Sequence, residues 1–133
     1  KSIIYTSNRS GKPHLYRQFL DSGKTARLTF KGIYNADADI SPDGRYVVMT
    51  HNAGQGFKIG LLDTKTGYLR VLTNGMLDEA PSFAPNGRMI LYATEQKQGY
   101  GILVAVSEDG RIKQKLSLSD GNVREPVWSP YKK

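Results

Sequence analysis

A short text recurs along this chain and constrains most of what it can fold into. Ile40-Ser41-Pro42-Asp43-Gly44-Arg45-Tyr46-Val47-Val48-Met49-Thr50 returns as Phe83-Ala84-Pro85-Asn86-Gly87-Arg88-Met89-Ile90-Leu91-Tyr92-Ala93. Pro42 suits the second position of a β-turn because its ring holds φ at about −65°. Gly44 permits the backbone angles that close the turn. Tyr46–Thr50 is rich in β-branched and aromatic residues, as a buried strand is. Lys1-Ser2-Ile3-Ile4-Tyr5-Thr6 matches the second half of the text only, and Trp128-Ser129-Pro130-Tyr131 the first half only. Pro42 to Pro85 is 43 residues and Pro85 to Pro130 is 45.

Between these markers each unit holds four apolar runs, called here a, b, c and d. The middle unit has them at Ala36–Ser41, Tyr46–Thr50, Phe57–Asp63 and Tyr68–Thr73. The next has Glu79–Ala84, Met89–Thr94, Gly101–Ser107 and Arg111–Leu118. Gly, Asn and Asp fill the turns between them. No window sustains a 3.6-residue period, so no helix is expected.

Four antiparallel strands in about 43 residues is the size of a β-propeller blade. One blade cannot bury its faces alone, and stacking around an axis completes the core. Residues 1–30 supply strands b, c (Leu15–Leu20) and d (Thr25–Phe30), blades 36–73 and 79–118 follow, and 125–130 adds one strand a. The reading is therefore all-β: twelve strands, three four-stranded blades, one partial propeller domain over 1–133. The unmatched strands invite pairing. Two chains are expected to exchange strand a and close a six-bladed, two-fold ring.

There is no cysteine, and no apolar run approaches the roughly 18 residues of a membrane span. Lys1 is not an initiator Met, so a leader upstream is left open. The net charge of +7 reads as a soluble, Lys-rich surface. A polyanion site needs basic residues interleaved with aromatics, and only Arg111, Lys113 and Lys115 alternate on one strand. Nucleic acid is not an expected partner.

The repeat x-x-P-x-Φ-S-P-D-G-x-Φ-Φ-Φ-x-S/T, with Φ apolar, resembles the WD40-like (PD40) propeller repeat shared by TolB, tricorn-type proteases and prolyl-oligopeptidase propellers. Asp37–Ser41, Leu77–Gly87 and Asp120–Tyr131 resemble the C-terminal end of the TolB family in order and spacing. The family's N-terminal α/β domain and about half its propeller have no counterpart here. The resemblance implies a non-enzymatic, periplasmic scaffold of the Tol–Pal system, which maintains outer-membrane integrity and supports cell division. Its implied partners are the Pal lipoprotein, other Tol-system proteins and colicin segments. The alternative is the non-catalytic propeller of a prolyl-oligopeptidase or tricorn-type peptidase. A catalytic α/β domain normally follows such a propeller, whereas this sequence ends at Lys133.

In a propeller the d–a loops reach the channel mouth, with the b–c loops on the same face and the Ser-Pro-Asp-Gly turns opposite. Binding residues belong disproportionately on such loops. Aligned on their prolines, Tyr34-Asn35-Ala36-Asp37 matches Leu77-Asp78-Glu79-Ala80 and Asn122-Val123-Arg124-Glu125. The resemblance places Pal contacts in this loop type. The expected partner-binding residues are Tyr34, Asn35, Ala36, Asp37, Leu77, Asp78, Glu79, Asn122, Arg124 and Glu125. The competing reading is that the carboxylates among them only cap turns or solvate the channel. Differences between the blades suit an asymmetric partner and equally suit drift. Other blades would be needed to complete the site, so weak or absent Pal binding is expected of this chain alone.

No cofactor or dedicated metal site is implied, and adventitious cation binding by the channel carboxylates is left open. An EF-hand starting at Asp37 would need Gly at Pro42 and Glu at Val48. His14 and His51 fall in different blades without metal-ligand spacing, and read as ordinary residues. No nucleophile elbow or Cys–His pair is present. Tyr5, Tyr16, Tyr46, Tyr92 and Trp128 read as blade-packing aromatics.

Overall fold

The computed structural model describes residues 1–95 and 101–116. These residues form eleven strands and no helix. They are β1 (Ser2–Ser7), β2 (His14–Phe19), β3 (Thr25–Arg27), β4 (Tyr34–Ile40), β5 (Tyr46–Asn52), β6 (Phe57–Asp63), β7 (Leu69–Val71), β8 (Asp78–Phe83), β9 (Met89–Glu95), β10 (Gly101–Ser107) and β11 (Lys113–Leu116). They make three antiparallel sheets in the orders β1-β2-β3, β4-β5-β6-β7 and β8-β9-β10-β11. Each sheet is one blade of consecutive strands, as the repeat requires. The strand a anticipated at 125–130 lies outside the described residues.

The core lies between blades. Val48, Ile59 and Leu61 of the second blade pack on Ile90, Tyr92, Val104 and Val106 of the third, with Phe83 and Leu72. Val47, Met49 and Leu62, from the other face of the second blade, meet Leu15, Ile4 and Leu28 of the first. Val47 and Val48 are both fully buried, because alternate residues of a strand point to opposite faces and both faces are covered.

Outer strand d is shorter than its sequence suggests, for one reason repeated twice. The ladder expected to Thr73 ends at Val71 because the Thr73 hydroxyl accepts the Ile59 N–H at 2.9 Å. In the first blade Thr29 Oγ1 accepts the Leu15 N–H at 3.0 Å, and β3 ends at Arg27 instead of Phe30. A side chain has replaced the next backbone acceptor in both places. Strand a starts earlier than expected in both complete blades, and each copy carries a bulge, at Ala36/Asp39 and at Glu79/Ser82. Asp37 and Ala80 sit in these bulges with φ of 54° each. That left-handed conformation is uncommon for non-glycine residues and is held by its surroundings.

The turns lie where the blade order puts them. The Thr64 N–H donates to Arg45 O at 2.8 Å, so the c–d turn sits beside the Ser-Pro-Asp-Gly turn. In that turn Ser41 Oγ donates to Asp43 Oδ1 at 2.6 Å, and the Arg45 N–H donates to the same oxygen at 3.0 Å. Ser107-Glu108-Asp109-Gly110-Arg111 repeats these bonds at the same distances between β10 and β11. The motif is thus a portable turn and is not confined to the a–b position.

Candidate functional site

At the opposite end, the stretch entering strand a of one blade meets the start of strand c in the blade before it. Asn35 N donates to Pro13 O, and Phe57 N donates to Met76 O, both at 2.8 Å. Phe57 and Leu77 also form a parallel bridge. The described positions singled out in the sequence, Tyr34–Asp37 and Leu77–Glu79, therefore cluster at one end of the described residues. Tyr34–Asp37 and Asp78–Glu79, however, are the opening residues of strands β4 and β8 and not parts of free loops. The early bulge extends pairing toward the mouth: Tyr34 pairs with Asn52, and Asp78 with Thr94.

The strand pleat sorts these residues into two kinds. Asn35 and Asp78, which align with each other, are 0% and 2% exposed. Asp78 accepts the Gly75 N–H at 3.1 Å and so ties the preceding segment to strand a. Asn35 does the same by donating from Nδ2 to Lys31 O at 2.9 Å. That acceptor fixes the orientation of the Asn35 amide. Oδ1 then accepts the His51 Nδ1 proton at 2.6 Å, and Nδ2 donates to His14 Nδ1 at 3.1 Å. His51 is thus the Nδ1–H tautomer, and His14 has a bare Nδ1. Thr29 Oγ1 lies 2.9 Å from the same His14 nitrogen. Burial lowers both imidazoles below their ordinary pKa, helped by Arg27 at His14 and by His14 at His51. The two histidines, remote in sequence, are partners of one buried asparagine. Ala36 is buried as well.

Tyr34, Asp37, Leu77 and Glu79 remain accessible. Tyr34 stacks edge-on against Phe57, with centroids 5.2 Å apart, and Leu77 adjoins the same Phe57. Burial raises the Tyr34 hydroxyl pKa, and the Asp37 and Glu79 carboxylates raise it further. This coupling shows that groups from two blades share one locality. Asp37 Oδ2 accepts the Thr50 hydroxyl proton at 3.2 Å, and Thr50 Oγ1 accepts the Ala80 N–H at 3.0 Å. Asp39 Oδ2 accepts the Phe83 N–H at 2.8 Å. Carboxylates of strand a thus lock the inner strand of the next blade in place.

The result is an apolar step, Tyr34–Phe57–Leu77, flanked by the Asp37 and Glu79 carboxylates and extended by exposed Ile33 and Met76. Such a surface can bury apolar atoms and accept hydrogen bonds from an inserted peptide. Phe57 is its central member and was not anticipated. The available signal was its spacing from Pro13, which holds the matching place one blade earlier. Asn122, Arg124 and Glu125 lie outside the described residues. Among the described residues no group of three or more His, Cys, Asp or Glu side chains is arranged to hold a metal ion. No described helix is long and apolar enough to cross a membrane.

A family model, the PD40 TolB beta propeller domain, matches residues 1–132. A Tol-Pal system protein TolB from Xanthomonas campestris pv. campestris strain B100 is 46% identical over 112 residues, 83% of this chain and 25% of that protein. The chain thus spans about a quarter of the length of the curated relatives it matches. The crystal structure of TolB from Acinetobacter baumannii superposes with a TM-score of 0.86 at 42% identity, over 94% of this chain and 31% of that one. A putative TolB from Agrobacterium tumefaciens shares the fold, with a TM-score of 0.83 at 23% identity over 98% of this chain and 51% of that one. The chain belongs to the TolB β-propeller domain family.

Proposed function

We propose that this chain forms part of a non-enzymatic, protein-binding propeller of the periplasmic Tol–Pal system. On this reading the face built from the starts of β4 and β8 holds a peptide of Pal, and colicin segments compete for it. The observation that carries the reading is the Tyr34–Phe57–Leu77 step with its flanking carboxylates, built from two blades on one rigid frame. Tyr34, Asp37, Leu77 and Glu79 are the contacts. Asn35, Ala36 and Asp78 support them from beneath, because their side chains are buried. Asn122, Arg124 and Glu125 are assigned to the same face by their place in the repeat.

Titration with purified Pal tests this. The chain supplies only part of the ring, so its affinity for Pal is weaker than about 1 μM. Leu77→Asp reduces the binding that remains by about tenfold, by setting an unpaired charge in the apolar step. Val71→Asp, on the outer strand β7, leaves it unchanged. Sub-micromolar binding would refute the partial-site argument. Equal binding by the two variants would refute the assignment of the face.

A further inference from the structure

The +7 charge is not spread evenly. Residues 1–33 carry seven basic side chains against Asp21 alone, so nearly all the excess lies in the first blade. Part of it lines a cleft of about 350 Å³, bounded by Ser10, Gly11, Lys12, His14, Arg27, Phe30 and Gly32. This cleft lies between the β1–β2 loop and the segment that leads into Tyr34. It therefore adjoins the proposed partner face. Its described lining contains no carboxylate. Lys12 is exposed and has no hydrogen bond or ion pair among the described residues. The Arg27 guanidinium lies 4.7 Å from the centroid of the Phe30 ring, which is 69% exposed. The cleft thus offers cations together with an apolar wall.

The next blade provides an internal comparison. His14 is matched by Lys58, whose Nζ donates to Gly75 O at 2.7 Å, and Asn35 is matched by the carboxylate of Asp78. There the positive charge is bonded internally and an acid lies nearby. In the first blade Arg27 Nε donates to Thr29 O at 2.7 Å, which leaves its terminal nitrogens without a hydrogen bond among the described residues; Lys12 has no internal partner there, and a neutral amide takes the place of Asp78.

We infer that the Lys12–Arg27–Phe30 cleft is a docking site for an acidic peptide segment, with the carboxylates seated by Lys12 and Arg27 and an apolar side chain against Phe30. The choice of a peptide as occupant rests on the protein-binding function proposed above. With Asp37 and Glu79 at the other end of the face, the cleft makes the surface polar from end to end and fixes the direction of a bound chain.

The test uses NMR spectra of the whole chain titrated with acetyl-Glu-Phe-Glu-amide, and with acetyl-Lys-Phe-Lys-amide for comparison. The expected result is a saturable shift of the Gly11 and Gly32 amides with the acidic peptide alone. It should be accompanied by a rise in the His14 titration midpoint, and weakened by salt near 0.15 M. Lys12→Glu should weaken binding about tenfold, whereas Lys65→Glu, at the opposite end, should leave it unchanged. No saturable shift, equal shifts with both peptides, or equal binding by the two variants would overturn the inference. Retention on phosphatidylglycerol vesicles without peptide binding would also overturn it, in favour of a membrane surface. Pal binding that responds to Leu77→Asp but not to Lys12→Glu would refute the cleft and leave the proposed function standing.

Discussion

Asn35→Ala separates a supporting role from a contacting one. The wild-type side chain is fully buried and makes three contacts, to His51 Nδ1, His14 Nδ1 and Lys31 O. Their loss is not uniform. His51 Nδ1–H is left buried without its acceptor, which costs about 1–3 kcal/mol. The Lys31 carbonyl loses one ordinary bond, about 1 kcal/mol. His14 keeps Thr29 at 2.9 Å, so its loss is smaller, about 0.5 kcal/mol. The sum is about 3 kcal/mol, a large share of the roughly 5–15 kcal/mol that holds a domain of this kind. Urea unfolding followed by far-UV circular dichroism, at one fixed chain concentration, measures it. The control is Asn52→Ala, at the end of β5, which removes a single exposed 2.6 Å bond from the Gly54 N–H and costs about 1 kcal/mol or less. If Asn35→Ala unfolds with an unchanged m-value and a loss below about 1 kcal/mol, the buried network is not the support described here.

Three further outcomes follow from the same geometry. His14 and His51 have folded pKa values below the unfolded value of about 6.5, so the unfolded chain binds more protons and stability falls on acidification. Stability should be complete above about pH 6.5 and fall below it by up to about 1.4 kcal/mol per pH unit for each imidazole, and urea midpoints read across this range detect it. The carboxylates of Asp43, Asp63 and Asp109, held low by their hydrogen bonds, respond only at more acidic pH. Gly32→Ala should cost more than about 1 kcal/mol, because φ is +87° and the new Cβ falls 2.7 Å from His51 Cε1 and 2.8 Å from Asn52 O. Gly54→Ala, with φ +103° and open space around it, should cost less in the same urea assay. Among the described residues β1 pairs only with β2 in its sheet, and the expected strand exchange would use its other edge. Light scattering should give twice 14.8 kDa, and a purely monomeric chain would rule the exchange out.

The blade architecture was legible because two independent signals agree. The proline–glycine turns mark the period, and the apolar runs between them have strand length. Phe57–Asp63 and Gly101–Ser107 are observed with their expected bounds. The ends of strand d were not legible, since Thr29 and Thr73 stop the ladder through their hydroxyls, a choice that composition does not reveal. The neighbourhood of the candidate site was legible from the alignment of Tyr34–Asp37 with Leu77–Ala80. Which side chains in it are accessible was not. That depends on a bulge in each copy; Asp visits positive φ more often than most side chains do, but the equivalent Ala80 carries no such signal. The link between His14 and His51 was hidden because it forms between blades, through an asparagine that belongs to neither histidine's local sequence.

Positions 35 and 78 show how one scaffold place carries two electrostatic outcomes. Both anchor the segment entering strand a, but Asn35 is neutral and sits between two imidazoles, whereas Asp78 is set against Gly75 N–H. Burial holds both imidazoles low, and the amide adds to this at His14 alone: its N–H needs a bare His14 Nδ1, whereas its oxygen accepts a proton that His51 carries in either charge state. Asn35→Asp removes the first condition. A carboxylate oxygen facing His14 Nδ1 calls for a proton on that nitrogen, and its negative charge favours the imidazolium over the neutral Nδ1–H tautomer. The folded His14 pKa then rises above about 6.5 instead of lying below it. The sign of the linkage reverses with it. The contribution of His14 becomes a stability present below about pH 6.5 and lost as pH rises through the new folded value. Urea midpoints of wild type and Asn35→Asp, measured between about pH 5 and 7.5, should therefore converge on acidification. Parallel curves, with the variant weaker by a constant amount, would show that Asn35 holds the segment by packing alone and that its amide does not bear on the protonation of His14.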